Sequence, residues 1–192
     1  VDAQQDLDAA LATAQRLGDP SLLARAHRAL LFLHIFVGPP GTARTHGEQA
    51  LALAGEIGDH TVRWSAHYGL ATLGGLTGDG EGVLQHLEQA ERLADDLQSP
   101  VMRVHTDEIA MQYAFASGNW DAGVALSERT IAIARALNQR TLLPRLLVWA
   151  TQFYTARGEY ELAKAYLDEA WELGVARAAR GRPIEVHSQV AV

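Results

Sequence analysis

Glycine returns at a fixed interval along this chain, and that interval limits the available folds more than any other feature. Gly38, Gly78, Gly118 and Gly158 stand 40 residues apart. A second set of breakpoints runs at the same spacing through Gly18-Asp19, Gly58-Asp59, Gln98-Ser99 and Asn138-Gln139. Together they cut the chain into segments of about 17 residues joined by turns of about two to four, the lengths of ordinary helices and tight joints. Gly and Asn suit a helix C-terminus because both tolerate the left-handed backbone that closes it. A period of this size is the mark of an array in which each unit buries its apolar face against the next.

Within the segments, apolar residues fall at helical spacing. Ala10, Ala50, Ala90, Thr130 and Ala170 form one column of the second helix in each pair, and Ala14, Ala54, Ala94, Ala134 and Gly174 form the next. Three residues further come Leu17, Ile57, Leu97 and Leu137, a column that Arg177 breaks. Small residues followed by a large one at i, i+4 and i+7 describe a face pressed against a neighbouring helix. First helices repeat Leu30, Leu70, Ala110 and Ala150, then Leu33, Leu73, Tyr113 and Phe153. The expected fold is all-α: a right-handed solenoid of antiparallel helix pairs, about nine to ten helices in one domain over 1–192. It divides into a half repeat 1–19, repeats 20–59, 60–99, 100–139 and 140–179, and the start of another over 180–192.

Other helical designs fit less well. A four-helix bundle would not keep one register through eight helices. No heptad runs unbroken between the glycines, which removes a coiled coil. HEAT and armadillo repeats have a suitable length. Both ends continue the pattern, with His187 and Val190 in register with His27 and Leu30. Natural arrays finish on polar capping helices. Uncapped ends, and a first residue Val1 in place of Met, predict a cytoplasmic piece of a longer protein.

Composition matters mainly for what it excludes. A net charge of −7 argues against nucleic acid as the main partner, since phosphate binding needs a concentrated basic face. With no cysteine, disulfide, thiol and cysteine–zinc chemistry are removed. The longest apolar run, from Ala29 to Val37, is too short to span a bilayer.

The last unit reads Arg157-Gly158-Glu159-Tyr160-Glu161-Leu162-Ala163, with Leu167 and Ala170 following. Gly158, Tyr160, Ala163, Leu167 and Ala170 resemble the turn, small, large and Ala places of the tetratricopeptide repeat (TPR). Leu70, Ala71, Gly78, Asp79, Val83, Leu87 and Ala90 resemble it again. Repeat 20–59 departs at Gly38-Pro39-Pro40-Gly41 and at Gly47, and repeat 100–139 departs at Gly123, Ser127 and Thr130. The 40-residue period, with Leu51-Ala52-Leu53-Ala54…Ile57-Gly58-Asp59 and Leu93-Ala94-Asp95-Asp96-Leu97, is similar to the long-helix form of the repeat. That form occurs in the sensor regions of MalT-like, LuxR-type bacterial ATP-binding regulators, in antibiotic-regulatory activators and beside some adenylate cyclase domains.

The resemblance implies a protein-interaction or ligand-sensing module of a bacterial signalling or transcription regulator, with neighbouring domains on the same chain. A free-standing adaptor, or a small-molecule receptor with its ligand in the groove, are the alternatives. It also implies that first helices line a concave groove. Column by column, its ligand-facing positions fall on Arg25, Arg28, Tyr68, His105, Glu108, Gln112, Arg145 and Gln152. Trp149 stands near them as a candidate anchor or a core residue. Arginine offers a planar donor fork for carboxylates and tyrosine a rigid face with a polar tip, so an acidic protein or peptide is the expected partner. The plainer reading of these columns is a solvated polar face. The family's two-carboxylate clamp of Lys and Asn is absent.

Eight histidines invite a metal reading. His27, His67 and His187 share one column, and His46 and His86 another. Column-mates on successive repeats stand about 9 to 10 Å apart, the spacing of packed helices. Zinc needs each nitrogen within about 2.1 Å, and no HExxH spacing occurs. Structural histidines, no metal and no cofactor are therefore expected. No enzyme is expected either: phosphate-loop, dinucleotide and GxSxG patterns are missing, and Asp95-Asp96 and Asp107-Glu108 read as helix-surface acids.

Overall fold

A computed structural model describes residues 3–178. The candidate further repeat over 180–192, including His187 and Val190, lies outside the described residues, as does the side chain of Arg177. Nine helices and no strand occur among the described residues: α1 (Ala3–Leu17), α2 (Pro20–Val37), α3 (Pro40–Ile57), α4 (His60–Thr77), α5 (Gly80–Asp96), α6 (Pro100–Ala116), α7 (Trp120–Ala136), α8 (Leu143–Ala156) and α9 (Tyr160–Ala178). Helices pack on their neighbours in sequence, α1 on α2, α2 on α3, α3 on α4 and α4 on α5, and again α7 on α8 and α8 on α9. This is an α-helical repeat fold. By compactness the chain divides into two units, Val1–Ile109 and Ala110–Val192.

The joints explain the period. Gly18, Gly58 and Gly78 take φ of +63°, +70° and +76°, closing one helix in the left-handed region. The aspartate that follows opens the next. Asp19 accepts from the Ser21 and Leu22 amides at 2.8 and 3.2 Å, Asp59 from Val62 at 3.0 Å, and Asp79 from Gly82 at 2.9 Å. Such a cap contributes about 1 kcal/mol. Two residues thus satisfy a helix end and a helix start together. Gln98 and Asn138 adopt the same left-handed backbone without being glycine, at φ of +47° and +53°.

Other joints depart from the rule: Gly118 keeps the left-handed turn, but Asn119 gives α7 no side-chain cap. Gly38 is extended at φ −127°, and the next helix starts on Pro40 with no side-chain cap. The expected repeat boundary at 140 is followed by three turn residues before α8 begins at Leu143. Pro144 has no N–H to bond back to Arg140, so the helix cannot begin there.

The small-residue columns form the core of each unit. In the first unit Ala50, Ala54, Ala90 and Ala94 are 0 to 2% exposed, and Leu30 and Leu70 fill the space between pairs. Each leucine contributes about 1.5 to 3 kcal/mol by leaving water. Ala24, Ala50, Ala54, Val62 and Ala66 form one buried cluster, and Leu31, Ala43, Leu70 and Leu73 a second. In the second unit Thr130, Ala134, Ala150, Phe153 and Ala170 reach the same depth. Two of the departures from the repeat pattern have a steric reason. A Cβ on Gly47 would meet Leu70 Cδ2 at 2.6 Å, and one on Gly123 would meet the Phe153 ring at 2.1 Å. Where the facing first helix carries a large side chain, the second helix is cut back to glycine.

The third expected column corrects the sequence reading. Leu17, Ile57 and Leu97 are 62, 37 and 38% exposed. They stand at the last helical position or at the cap itself, where the chain has already begun to turn away from its neighbour.

Candidate functional site

The first unit carries the better-formed site. Arg25 and Arg28 of α2, Asp59 at the α3–α4 joint, and Thr61, Val62, Trp64 and Ser65 of α4 line an open cleft of about 470 Å³. The helical members stand in the N-terminal halves of two successive first helices, so the 40-residue period sets their side chains next to each other. Arg25 is exposed and Arg28 half-buried, its Nη1 donating to Ser65 Oγ at 3.4 Å. Asp59 is the only acid in the lining, and its carboxylate already accepts the Val62 amide. The cleft is therefore locally cationic in a chain of net charge −7.

Beside the arginines lies an aromatic cluster. Trp64 stacks on Tyr68 with centroids 5.6 Å apart at 22°. His105 of α6 meets both edge-on, at 6.3 Å from Trp64 and 5.9 Å from Tyr68. Phe32 of α2 completes the group at 6.1 Å from Tyr68. Trp64 Nε1 donates to Thr106 Oγ1 at 3.0 Å, and Thr106 Oγ1 donates to the Met102 carbonyl at 2.9 Å. The indole is thus fixed in orientation by α6. A guanidinium pair next to rigid rings can hold a carboxylate by its donors and an apolar group by the ring faces.

Five of the groove positions carried over by resemblance lie in this unit: Arg25, Arg28, Tyr68, His105 and Glu108. The cleft unites Arg25 with Arg28, and the aromatic cluster unites Tyr68 with His105. Glu108 is 3% exposed, within the packing and away from solvent. Its neighbour Asp107, fully buried, accepts from Arg103 Nε at 2.9 Å, and Arg103 also reaches Asp95 at 3.1 Å and Glu91 at 3.6 Å. The surface acids expected at 107 and 108 are therefore buried; Asp107 is tied into a clasp between α5 and α6.

In the second unit, Gln112, Arg145, Trp149 and Gln152 are each half-buried. Trp149 lies 6.2 Å from Phe115, and Phe115 packs edge-on against Phe153 at 5.7 Å. Tyr154 donates to Glu128 Oε1 at 2.7 Å and stacks on Tyr166 at 5.3 Å. Burial and that bond push the Tyr154 phenol up.

Sequence reasoning missed Trp64, Ser65 and Phe32 as part of the site. Trp64 sits one place before a groove column, and its role is set by helix rotation. It also missed how the histidines meet. His27 and His46 approach with Nδ1 atoms 3.0 Å apart, and His67 and His86 do the same at 3.0 Å. His34 stacks parallel on His46 at 5.5 Å. No group of three or more His, Asp or Glu residues among the described residues is arranged to hold a metal ion.

Comparison with known proteins places the fold and no more. The solved structure of BtubC (BKLC) from P. vanneervenii superposes with a TM-score of 0.75 over 94% of this chain and 75% of that one, at 22% identity. The shared feature is a helical repeat. No family model and no curated protein matches the chain. No described helix is long and apolar enough to cross a membrane.

Proposed function

We propose that this chain is a tetratricopeptide-like interaction module that takes an acidic peptide segment of a partner protein in the α2–α4 cleft. The carrying observation is the juxtaposition of Arg25 and Arg28 with the Trp64–Tyr68–His105 cluster on successive first helices. A helical-repeat fold suits a scaffold, because each repeat adds surface without changing its neighbours. The occupant fits the chemistry: carboxylates on the paired guanidinium groups and an apolar side chain against Trp64. Gln112, Arg145, Trp149 and Gln152 are the equivalent candidate contacts in the second unit. The module serves as the sensing or interaction segment of a bacterial signalling or transcription regulator.

The test is fluorescence polarisation with labelled Asp/Glu-rich peptides carrying one aromatic residue. Binding should weaken as salt rises from 50 to 300 mM, given a screening length near 10 Å at about 0.1 M. Arg25→Glu with Arg28→Glu should abolish binding with helicity by circular dichroism unchanged. Unaltered binding by that double variant would remove the cleft from the proposal. Coding DNA with an ATP-binding region upstream and a helix-turn-helix downstream would support the regulator role; an isolated short reading frame would favour an adaptor.

A small carboxylate metabolite is the second reading, favoured by the size of the cleft, which lies within the range of about 300 to 1,000 Å³ usual for ligand sites. A saturating metabolite should then stabilise the protein by about 2.7 kcal/mol at a hundred-fold excess over Kd.

A further inference from the structure

The first unit contains one contact twice over. In each of two successive repeats, a histidine of the first helix meets a histidine 19 residues later on the second, Nδ1 to Nδ1 at 3.0 Å. The rings are tilted by 32° and 44°, with centroids 5.2 and 5.3 Å apart. His27 is 8% exposed, and His46, His67 and His86 are half-buried. Two nitrogens at that distance attract only if one carries a hydrogen and the other a lone pair. A neutral pair satisfies this when the two rings are opposite tautomers. One added proton is tolerated, since an imidazolium Nδ1–H still donates to a neutral Nδ1. A second proton makes both nitrogens donors and both rings cations, with nothing between them.

We propose that His27–His46 and His67–His86 are tandem acid-sensitive latches, which hold α2 to α3 and α4 to α5 until both rings of a pair are protonated.

The charges around each latch set its bias. His46 faces the His34 ring from α2 and Asp8 from α1. His67 faces Arg63 of its own helix, and His86 faces Arg44 and Glu48 from α3 and Asp79 at the head of α5. Of the acids, Asp79 is already engaged by Arg44 at 3.0 Å and by the Gly82 amide. Burial resists protonation most, joined by the partner ring and Arg63 at His67 and by Arg44 at His86. Asp8 at His46, and Asp79 and Glu48 at His86, favour it. Burial lowers His27, His46 and His86 from the usual histidine value and takes His67 down to about 4.

The sign follows. A group whose folded value is depressed leaves the unfolded chain binding more protons. The stabilisation is then complete above about pH 6.5 and is lost as pH falls below it, toward about 4 for the His67–His86 pair. The latch depends only on the geometry of the pairs, and stands whether or not the cleft binds a peptide. Its position is suggestive nonetheless, because His27 and His67 immediately precede Arg28 and Tyr68.

Long-range ¹H–¹⁵N spectra of the full ¹⁵N-labelled chain, recorded from pH 7.5 to 4.5, test this directly. At pH 7.5 each pair should show one ring protonated at Nδ1 and the other at Nε2. The second proton should enter each pair below the pH at which a free imidazole titrates, and at His67–His86 toward about pH 4. In parallel, the unfolding constant in urea should rise by up to about tenfold per pH unit for each proton withheld by the folded state, over the window below pH 6.5. Asn carries an amide near the Nδ1 position and does not titrate, so His46→Asn with His86→Asn should flatten that slope. Four histidines titrating independently near 6.5 with the same tautomer in each pair would overturn the proposal. So would a folded double variant with the wild-type pH slope. The spectra of the unaltered protein decide the matter even if the variant fails to fold.

Discussion

Between the first unit and the α8–α9 pair, the same place in the repeat is built in two ways. Between α2 and α3, and between α4 and α5, paired helices meet through His27–His46 and His67–His86. Between α8 and α9 the equivalent positions, 80 residues on from His67 and His86, hold Leu147 and Tyr166. Leu147 is fully buried and Tyr166 stacks on Tyr154. Both solutions close a helix pair of similar length. The first makes the closure depend on protons, whereas the second depends on apolar burial and is insensitive to acid above the range of carboxylates. A repeat backbone therefore leaves this contact free to be chosen for control or for stability.

Perturbing the apolar packing of α8, on its α7 side, should cost the most. Phe153 is fully buried and lies where a side chain at position 123 would otherwise stand. Phe153→Ala should destabilise the protein by about 3 to 5 kcal/mol in urea unfolding. The reciprocal change, Gly123→Ala, pushes a methyl into that ring and should cost about 1 to 3 kcal/mol. Combining Gly123→Ala with Phe153→Leu should cost less than the sum of the two single changes, because the smaller side chain makes room. Strict additivity would show that the two residues do not compete for one space.

Grafting one solution onto the other sharpens the comparison. His67→Leu with His86→Tyr should leave stability at pH 7.5 within about 1 kcal/mol, since both hydrogen-bonding partners are replaced together. It should remove that pair's share of the acid slope between about pH 6.5 and 4. An unchanged slope in urea unfolding would mean that other groups carry it. Least should follow from Arg92→Ala, which breaks an exposed pair with Glu88. About 0.5 kcal/mol or less is expected, vanishing in high salt.

Much of this was legible from one sequence because the period repeats its own evidence. The glycine and aspartate joints, the alanine columns and the helical character all recur, so each copy checks the others. Relations at right angles to the columns were harder to read. His27 and His67 share a column, yet their contacts run across to His46 and His86, a pairing set by how two helices of one repeat are rotated. Likewise Asp107 and Glu108 read as surface acids because helical spacing alone does not say which side the next helix covers. The exposure of Leu17, Ile57 and Leu97 was missed for a related reason: the pattern runs on to the last residue of the helix, while the packing ends a turn earlier.

The two-residue joint has a consequence at the level of the gene. Gly58-Asp59 and Gly78-Asp79 each end one helix and cap the next through backbone amides, and Asp79 is held in addition by Arg44 of α3. A recombination event that duplicates codons 58–97 would therefore insert a helix pair that brings its own Gly58-Asp59 joint with it. The new copy would arrive with its small-residue columns in register. Lengthening such a protein needs no new invention at the seams, so copy number can drift faster than sequence.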